Sequence, residues 1–354
     1  MLDLNGLKVF GSEHTNGTKS LVICNYKWYR PYYWHIPQLD ARLYDGPITV
    51  INIAELSDKD GNKLPIRRTL FTLKTLISEA DRIIVDGFVG LGFYLVISLG
   101  FLKNKTIILG QQNLTAPNTT LRSKLKYLFI KTVYRNVDTI LVNVETQKLF
   151  FESHFGDGIG AKCKVYCPPI NFEGVKDFLQ PSKSVGSFVL SAGQTNRDYN
   201  LLATSLKDFS SPFTLYCPSD LYNAYDFPSH VDHQDNLDTS GLLSLIRRCR
   251  FLVIPLKDTM EMSGLRVLTF GLELGKTIVV TKTKPLIEVF SDDPPFIYCP
   301  QDNPAALTKI MEDLNRDEER IRLVGESARL WAEKNLLSSD FVNNIWKDVI
   351  LKPK

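Results

Sequence analysis

Apolar positions along the chain alternate between two spacings. Short β-branched runs at 21–25, 48–53, 82–85, 106–109, 139–142 and 164–167 have the pattern of strands buried on both faces. Between them, apolar residues recur at helical spacing and predict helices over 65–79, 90–101, 121–136 and 146–155. In the third of these helices Leu121, Leu125, Leu128, Phe129 and Val133 fall at core spacing. Strand-then-helix alternation of this kind implies a mostly parallel, doubly wound sheet. The pattern stops near Pro168-Pro169, and a Lys, Ser and Pro-containing stretch follows, read as a linker over 173–186. A second alternation then begins, with strands over 187–191, 213–217, 251–255 and 277–281 and helices over 199–205, 241–248 and 264–274. Two further helical, charged stretches cover 303–335 and 339–350. The expected organisation is an α/β domain over 1–172, the linker, a second α/β domain over 187–335 and a terminal helix within 336–354.

Composition permits this organisation and removes some alternatives. A chain of 354 residues accommodates two cores. Its 44% hydrophobic and 23% charged content excludes wholesale disorder and a polytopic membrane protein. A net charge of +3 is too small to argue for nucleic acid. Cysteines at 24, 163, 167, 217, 249 and 299 lie mostly inside apolar runs; Cys163 and Cys167 have no matching second pair, so reduced core cysteines are expected rather than zinc. The first residues lack the apolar core of a signal peptide, and no run reaches the roughly 18 residues of a membrane span. The apolar stretch 87–102 reads as a buried crossover helix. A cytoplasmic protein is expected, so the sequons at Asn16, Asn104, Asn113 and Asn118 carry no weight.

Candidate chemistry concentrates in 257–281, KDTMEMSGLRVLTFGLELGKTIVVT, which reads as loop, helix and buried strand. Ser263-Gly264 opens the helix and Gly275 sits where a glycine C-cap is expected. A helix start at the carboxyl end of an apolar strand offers free N–H groups and a positive dipole end to an anion. Without a side chain at Gly264, a diphosphate can approach the backbone. An isolated Ser-Gly pair also serves simply to begin a helix.

In order and spacing the segment resembles the donor-binding motif of the GT-B glycosyltransferases, especially the family 4 type, whose strand ending is matched by Gly275-Lys276-Thr277-Ile278-Val279-Val280-Thr281. The family's second glutamate falls on Phe270, and Glu261 stands near the place of the first. Residues 189–199, VLSAGQTNRDY, are similar to the family's strand, glycine turn and basic residue ahead of "D-Y". The resemblance implies a GT-B fold, two Rossmann-like doubly wound domains facing a cleft, with the acceptor in the first, the donor in the second and the last helix crossing back. It implies donor contacts at Gly193, Gln194, Arg197, Pro218, Ser263, Gly264, Leu265 and Arg266. Arg197 is the expected cation for the leaving diphosphate, or else a solvated loop arginine; Gln194 stands where the family carries another arginine, and Arg266 either serves the diphosphate or sugar or points to solvent. Pro218, Ser219 and 233–239 map to the nucleoside, and Glu261 or Glu273 substitutes for the ribose carboxylate lost at Phe270.

The catalytic candidates are Asp86, at the end of the third strand where α/β sheets gather their ligands, and Glu261. The family's histidine after the fourth strand is replaced by Gly110-Gln111-Gln112-Asn113, none of which is a base near neutral pH. Asp86, ending the third strand, is the base if the enzyme inverts, or else a helix cap; if it retains, the leaving phosphate takes the proton. No metal and no resident cofactor are expected, the UDP- or GDP-linked sugar being a substrate.

Charge gives the acceptor half its own signal. Between Asp86 and Asp138 there is no acidic residue, whereas Lys103, Lys105, Arg122, Lys124, Lys126, Lys131 and Arg135 are present. At roughly 1 kcal/mol per cation, a face carrying Lys124, Lys126 and Lys131 suits an anionic membrane with a lipid-linked acceptor, unless it is simply solvated. Aromatic residues after the first strand, Tyr26 and Trp28 among them, suit sugar stacking, a membrane interface, or packing between loop and core. Nucleic-acid binding would leave the second domain without a role. The leading expectation is a metal-independent hexosyl-type glycosyltransferase of surface polysaccharide or glycolipid synthesis, peripheral on the inner membrane face. The alternatives are a sugar-nucleotide epimerase of the same fold and a non-catalytic partner subunit.

Overall fold

The computed structural model describes residues 7–10, 17–24, 46–53, 56, 66–86, 89–110, 120–166, 186–291, 293–335, 343–344 and 347–348. By its contacts the chain divides into two compact units, Met1–Tyr166 with Ser339–Lys354, and Cys167–Ser338.

In the first unit β1 (Leu7–Phe10), β2 (Ser20–Cys24), β3 (Ile48–Asn52), β4 (Arg82–Asp86), β5 (Thr106–Gly110), β6 (Thr139–Val142) and β7 (Cys163–Val165) form one sheet in the order β1-β3-β2-β4-β5-β6-β7. All neighbours are parallel except β1 on β3, an edge pairing the sequence pattern did not predict. β2 is buried at every position, which is why it reads as an unbroken apolar run. Alternate residues, Ile23, Val85, Leu109 and Val142 among them, pack against α2 (Leu91–Ser98), α3 (Leu121–Arg135) and α4 (Glu145–Phe155). The shorter α5 (Asp157–Gly160) leads into β7, and α1 (Ile66–Glu79) into β4.

The facing of α3 overturns one expectation. Of the five residues expected to face the core, Phe129 and Val133 do, but Leu121, Leu125 and Leu128 are 72%, 58% and 59% exposed; Tyr127, Ile130 and Tyr134 are turned inward in their place. Two apolar stripes compete on this helix, and the aromatic one wins. Its rings mesh with α4: Tyr134 lies 5.3 Å from both Phe151 and Phe155, and Tyr127 stacks on Phe155 at 5.1 Å. The helix expected to be wholly buried over 87–102 is corrected in the same way. Tyr94 and Ile97 face the core, but Leu91, Leu95 and Leu99 are exposed.

The second unit is a fully parallel sheet in the order β10-β9-β8-β11-β12-β13, from β8 (Val189–Ala192), β9 (Phe213–Tyr216), β10 (Val231–Gln234), β11 (Leu252–Ile254), β12 (Ile278–Thr281) and β13 (Ile297–Cys299). Its helices are α6 (Tyr199–Leu206), α7 (Ser219–Asn223), α8 (Thr239–Arg248), α9 (Leu265–Glu273), α10 (Lys284–Phe290), α11 (Pro304–Asn315) and α12 (Glu318–Asn335). β10 and β13, with sequences VDHQ and IYC, escaped sequence reading because they are too short or too polar to show a period. The stretch 303–335 is broken into two helices by two caps. Asn303 accepts from Ala306 N at 3.0 Å, and Asp317 from Arg320 N at 2.9 Å.

Gly275 has φ +63° and follows α9 as the left-handed residue the sequence predicted. Its carbonyl abuts α12, where a Cβ on Gly325 would sit 2.3 Å from Gly275 O. Gly325→Ala therefore forces backbone apart. It is expected to destabilise the protein by about 1–3 kcal/mol, measured by denaturant melting.

The linker expected over 173–186 lies outside the described residues apart from Gly186, as does most of the helix expected over 339–350. Burial and then the Asp348 carboxylate push the Tyr166 phenol up to about 12. Among the described residues no helix is long and apolar enough to cross a membrane. Cys24, Cys163, Cys217, Cys249 and Cys299 are buried thiols.

Candidate functional site

A doubly wound sheet opens a crevice at the carboxyl ends of its strands where strand order reverses. In the second unit the chain runs outward from β8 through β9 to β10 and then returns to β11 on the other side of β8. The loops leaving β8 and β11 are laced together over this reversal. Asp198 N donates to Pro255 O at 3.1 Å and Lys257 N to Asn196 O at 3.0 Å. Arg197 forms an antiparallel bridge with Leu256, and Leu256 N donates to Thr281 Oγ1 at 2.9 Å, which joins the end of β12 to the group.

Arg197 sits at the centre and is only 6% exposed. Its Nε and Nη2 donate to Ala192 O at 3.0 and 2.9 Å, and Nη1 donates to Thr195 O at 3.0 Å. All its acceptors are carbonyls; no carboxylate pairs with this cation among the described residues. Burial pushes its pKa down to about 10, against a smaller opposing effect of Tyr199. At neutral pH the guanidinium is still charged. Of its five N–H bonds three are used, leaving donors for an anion.

Two glycines let the guanidinium lie there. Gly193 has φ +122°, and a Cβ on it would fall 2.2 Å from Arg197 Nη2. Gly264, at φ +78°, is the N-cap of α9, and a Cβ there would sit 3.1 Å from Ile254 Cγ2 and 3.5 Å from Arg197 Nη1. No side chain caps α9, so its first-turn N–H groups and dipole end open beside the buried cation. Asn196, left-handed at φ +52°, donates from Nδ2 to Ser263 Oγ at 2.9 Å and reaches Glu261 Oε2 at 3.4 Å. Glu261 is 9% exposed.

The residues expected from sequence thus separate into groups. Gly193, Arg197, Ser263 and Gly264 come together at the reversal, with Glu261 joined through Asn196. Leu265 is the half-buried first residue of α9, and Gln194 is exposed on the β8 loop. Arg266 is exposed and lies near Tyr216 at the end of β9: burial raises the Tyr216 phenol, while Arg266 pulls it down and Asp235 and Asp238 push it up. Pro218 is the N-cap of α7, half-buried, and the Ser219 hydroxyl donates to Asp235. Phe270 and Glu273 are both buried. Glu273 ends α9, about 12 Å along the helix axis from its first residue, so it does not reach the anion end. Of the two glutamates proposed for the ribose, only Glu261 is near.

Asp86 ends β4 in register with Cys24 and Gly110, where the first sheet also reverses, between β2 and β4. Its side chain lies outside the described residues, as do Tyr26, Trp28 and Gln111 to Asn113. Lys124 and Lys126 are exposed and Lys131 half-buried on α3. Among the described residues no cluster of three or more His, Cys, Asp or Glu side chains is placed to hold a metal ion.

Sequence reading missed Asn196 and the roles within Asp198-Tyr199. Asp198 caps α6, accepting from Leu201 N at 2.9 Å, and the Tyr199 hydroxyl donates to Gly193 O, fixing the turn under Arg197. An Asn between a strand and a capping Asp was the available signal for a left-handed turn.

No protein-family model matches the chain, and no curated protein sequence matches it. Solved structures do resemble it. Anabaena HepE, in complex with UDP and glucose, aligns at a TM-score of 0.66 with 12% identity, covering 95% of this chain and 100% of that one. Sucrose-phosphate synthase from Thermosynechococcus elongatus aligns at 0.62 with 11% identity over 94% of this chain and 99% of that one. WaaG, a glycosyltransferase involved in lipopolysaccharide biosynthesis, aligns at 0.59 with 11% identity over 93% and 100%. At these identities the likeness establishes architecture, and the fold of this chain is GT-B, the α/β fold of these glycosyltransferases.

Proposed function

We propose that this chain is a glycosyltransferase that moves a sugar from a nucleoside-diphosphate donor to a glycan or lipid-linked acceptor, in cytoplasmic synthesis of surface polysaccharide or glycolipid. The observation that carries the reading is Arg197: a buried guanidinium with no carboxylate partner among the described residues, beside the uncapped start of α9. A buried cation of this kind is costly unless an anion shares the site. A diphosphate supplies two phosphates, one for the guanidinium and one for the helix N-terminus.

As the bond from the sugar to the diphosphate breaks, negative charge gathers on the leaving oxygen. Fixed donors already aimed at that place stabilise it without reorganising. In this mechanism Arg197 and the first-turn N–H groups of α9 take that charge, Arg266 adds a second cation at the rim, and no metal is required. Glu261, brought near by Asn196, is the carboxylate for the donor's ribose or sugar, and Gln194 and Pro218 border the nucleotide. Proton removal from the acceptor falls to the departing phosphate in a retaining reaction, or to Asp86 in an inverting one. UDP is the first nucleotide to try, because HepE holds it in a related fold.

The test is a panel of UDP-, GDP- and CMP-sugars read by thermal melting. A ligand at a hundred times its Kd stabilises the native state by about 2.7 kcal/mol, a readily measured rise in Tm. One responding nucleotide is expected, and slow hydrolysis of its sugar without acceptor supports transfer. Interconversion of sugar isomers would instead indicate an epimerase. Silence across the panel would refute the donor site and favour the non-catalytic partner, which Phe270 in place of the family's glutamate also fits.

A further inference from the structure

Outside the donor half, the outer face of α2 and α3 carries exposed apolar residues without a role. Leu91, Leu95 and Leu99 form an i, i+4, i+8 stripe, 65%, 48% and 61% exposed, on α2 and the turn after it. Leu121, Leu125 and Leu128 form a second stripe on α3. The two helices pack side by side, and Asn136 Nδ2 fastens the end of α3 to Ser98 O of α2 at 3.0 Å. Both follow adjacent parallel strands, so their first turns lie at the sheet edge where Asp86 and Gly110 end. A helix of a water-exposed protein turns such stripes inward. Here both are turned outward.

Charge decides what covers them. Arg122, Lys124 and Lys126 are exposed and interleaved with the leucines of α3, and no acidic residue occurs between Asp86 and Asp138. A second copy of the chain, paired about a two-fold axis, would set these cations against themselves with no carboxylate on either helix to offset them. An anionic bilayer reverses that penalty. Leucines enter the boundary between headgroups and acyl chains while the flexible lysine and arginine stems keep their charges at the level of the lipid phosphates.

We propose that the leucine face of α2 and α3, with its interleaved cations, is a docking surface for a lipid bilayer bearing anionic headgroups. The docking surface stands without the donor reading; that it selects a lipid-linked acceptor over a free glycan rests on that reading. The surface begins at the strand-carboxyl edge of its own unit, at Leu91 and Leu121, and runs back along both helices, so an acceptor anchored in the bilayer beside those first turns is close to the edge that carries Asp86.

Co-sedimentation with vesicles of phosphatidylcholine, with and without phosphatidylglycerol, tests it. The full chain is expected to pellet with the phosphatidylglycerol vesicles and much less with phosphatidylcholine alone. The triple variant Leu121→Ser, Leu125→Ser, Leu128→Ser should lose binding by about tenfold or more, with an unchanged melting profile because these side chains support no core. Lys124→Glu with Lys126→Glu should lose it as well, by removing the attraction that concentrates the protein at the surface. Equal pelleting of the leucine variant and the unmodified chain would overturn the proposal, leaving only electrostatic adsorption. So would absence of vesicle binding, including the case where serines turn an oligomer into a monomer and reveal a second copy on this face. The nucleotide response of the same variants reports separately on the donor site, so failure of one reading is distinguishable from failure of the other.

Discussion

Arg197→Ala is expected to slow donor hydrolysis or transfer about 100- to 1000-fold, the loss seen when one preorganised donor to a developing anion is removed. It should abolish most of the nucleotide-induced rise in Tm while changing the ligand-free protein little. Two effects of similar size offset in the free protein. Removing the side chain leaves Ala192 O and Thr195 O without their donor, at about 1–3 kcal/mol each if water does not replace it. It also relieves the burial that holds the guanidinium near 10 instead of its ordinary 12.5, worth on the order of 3 kcal/mol. The sign follows from the lowered pKa: the charged form is disfavoured by folding, so this penalty is present at neutral pH and fades only as pH rises toward and beyond about 10. A bound diphosphate cancels the penalty, which links ligand to stability. Arg197→Lys keeps the charge but lacks the planar fork that spans both carbonyls, and should fall between alanine and wild type. A purely structural arginine would give the opposite pattern: a large drop in the ligand-free melting temperature with the nucleotide response intact.

Gly193→Ala should damage both stability and nucleotide response. At φ +122° an L side chain is strained by about 1–3 kcal/mol, and here its Cβ would also stand 2.2 Å from Arg197 Nη2. The guanidinium cannot swing aside cheaply, being held by three hydrogen bonds in a buried site. For a unit of this size each kcal/mol shifts Tm by about 2–4 °C, so a drop of several degrees is expected together with a weakened nucleotide shift. A double-mutant cycle isolates the steric part. In the Arg197→Ala background the same glycine substitution should cost less, by about 1 kcal/mol or more, because the atom it strikes is gone. Additive effects in the cycle would contradict the contact.

The GT-B likeness supplies a scaffold, and the acceptor has to be argued from this chain's own surface. Fold and function separate at this level because acceptor chemistry is set by loops and surface side chains placed on a common frame. In the first unit the surface feature at hand is the leucine and lysine face of α2 and α3.

The sequence by itself determined the central strands of the two sheets, because parallel strands buried on both faces must be continuous apolar runs, and their alternation with helices admits few topologies. It also determined the helix start at Ser263-Gly264 and the glycine cap at Gly275, where backbone conformation restricts residue type. Tertiary structure alone decided three things. The guanidinium of Arg197 is buried, because the residue that covers it, Gly193, and the strand end that anchors it, Ala192, are local in sequence while the β11 loop that seals it is far away. α3 turns its aromatic stripe inward, because a single helix with two apolar stripes has no internal reason to prefer one; the rings of α4 supply it. β10 and β13 exist, because short strands with one or two apolar residues are held by the neighbour they pair with rather than by any period of their own.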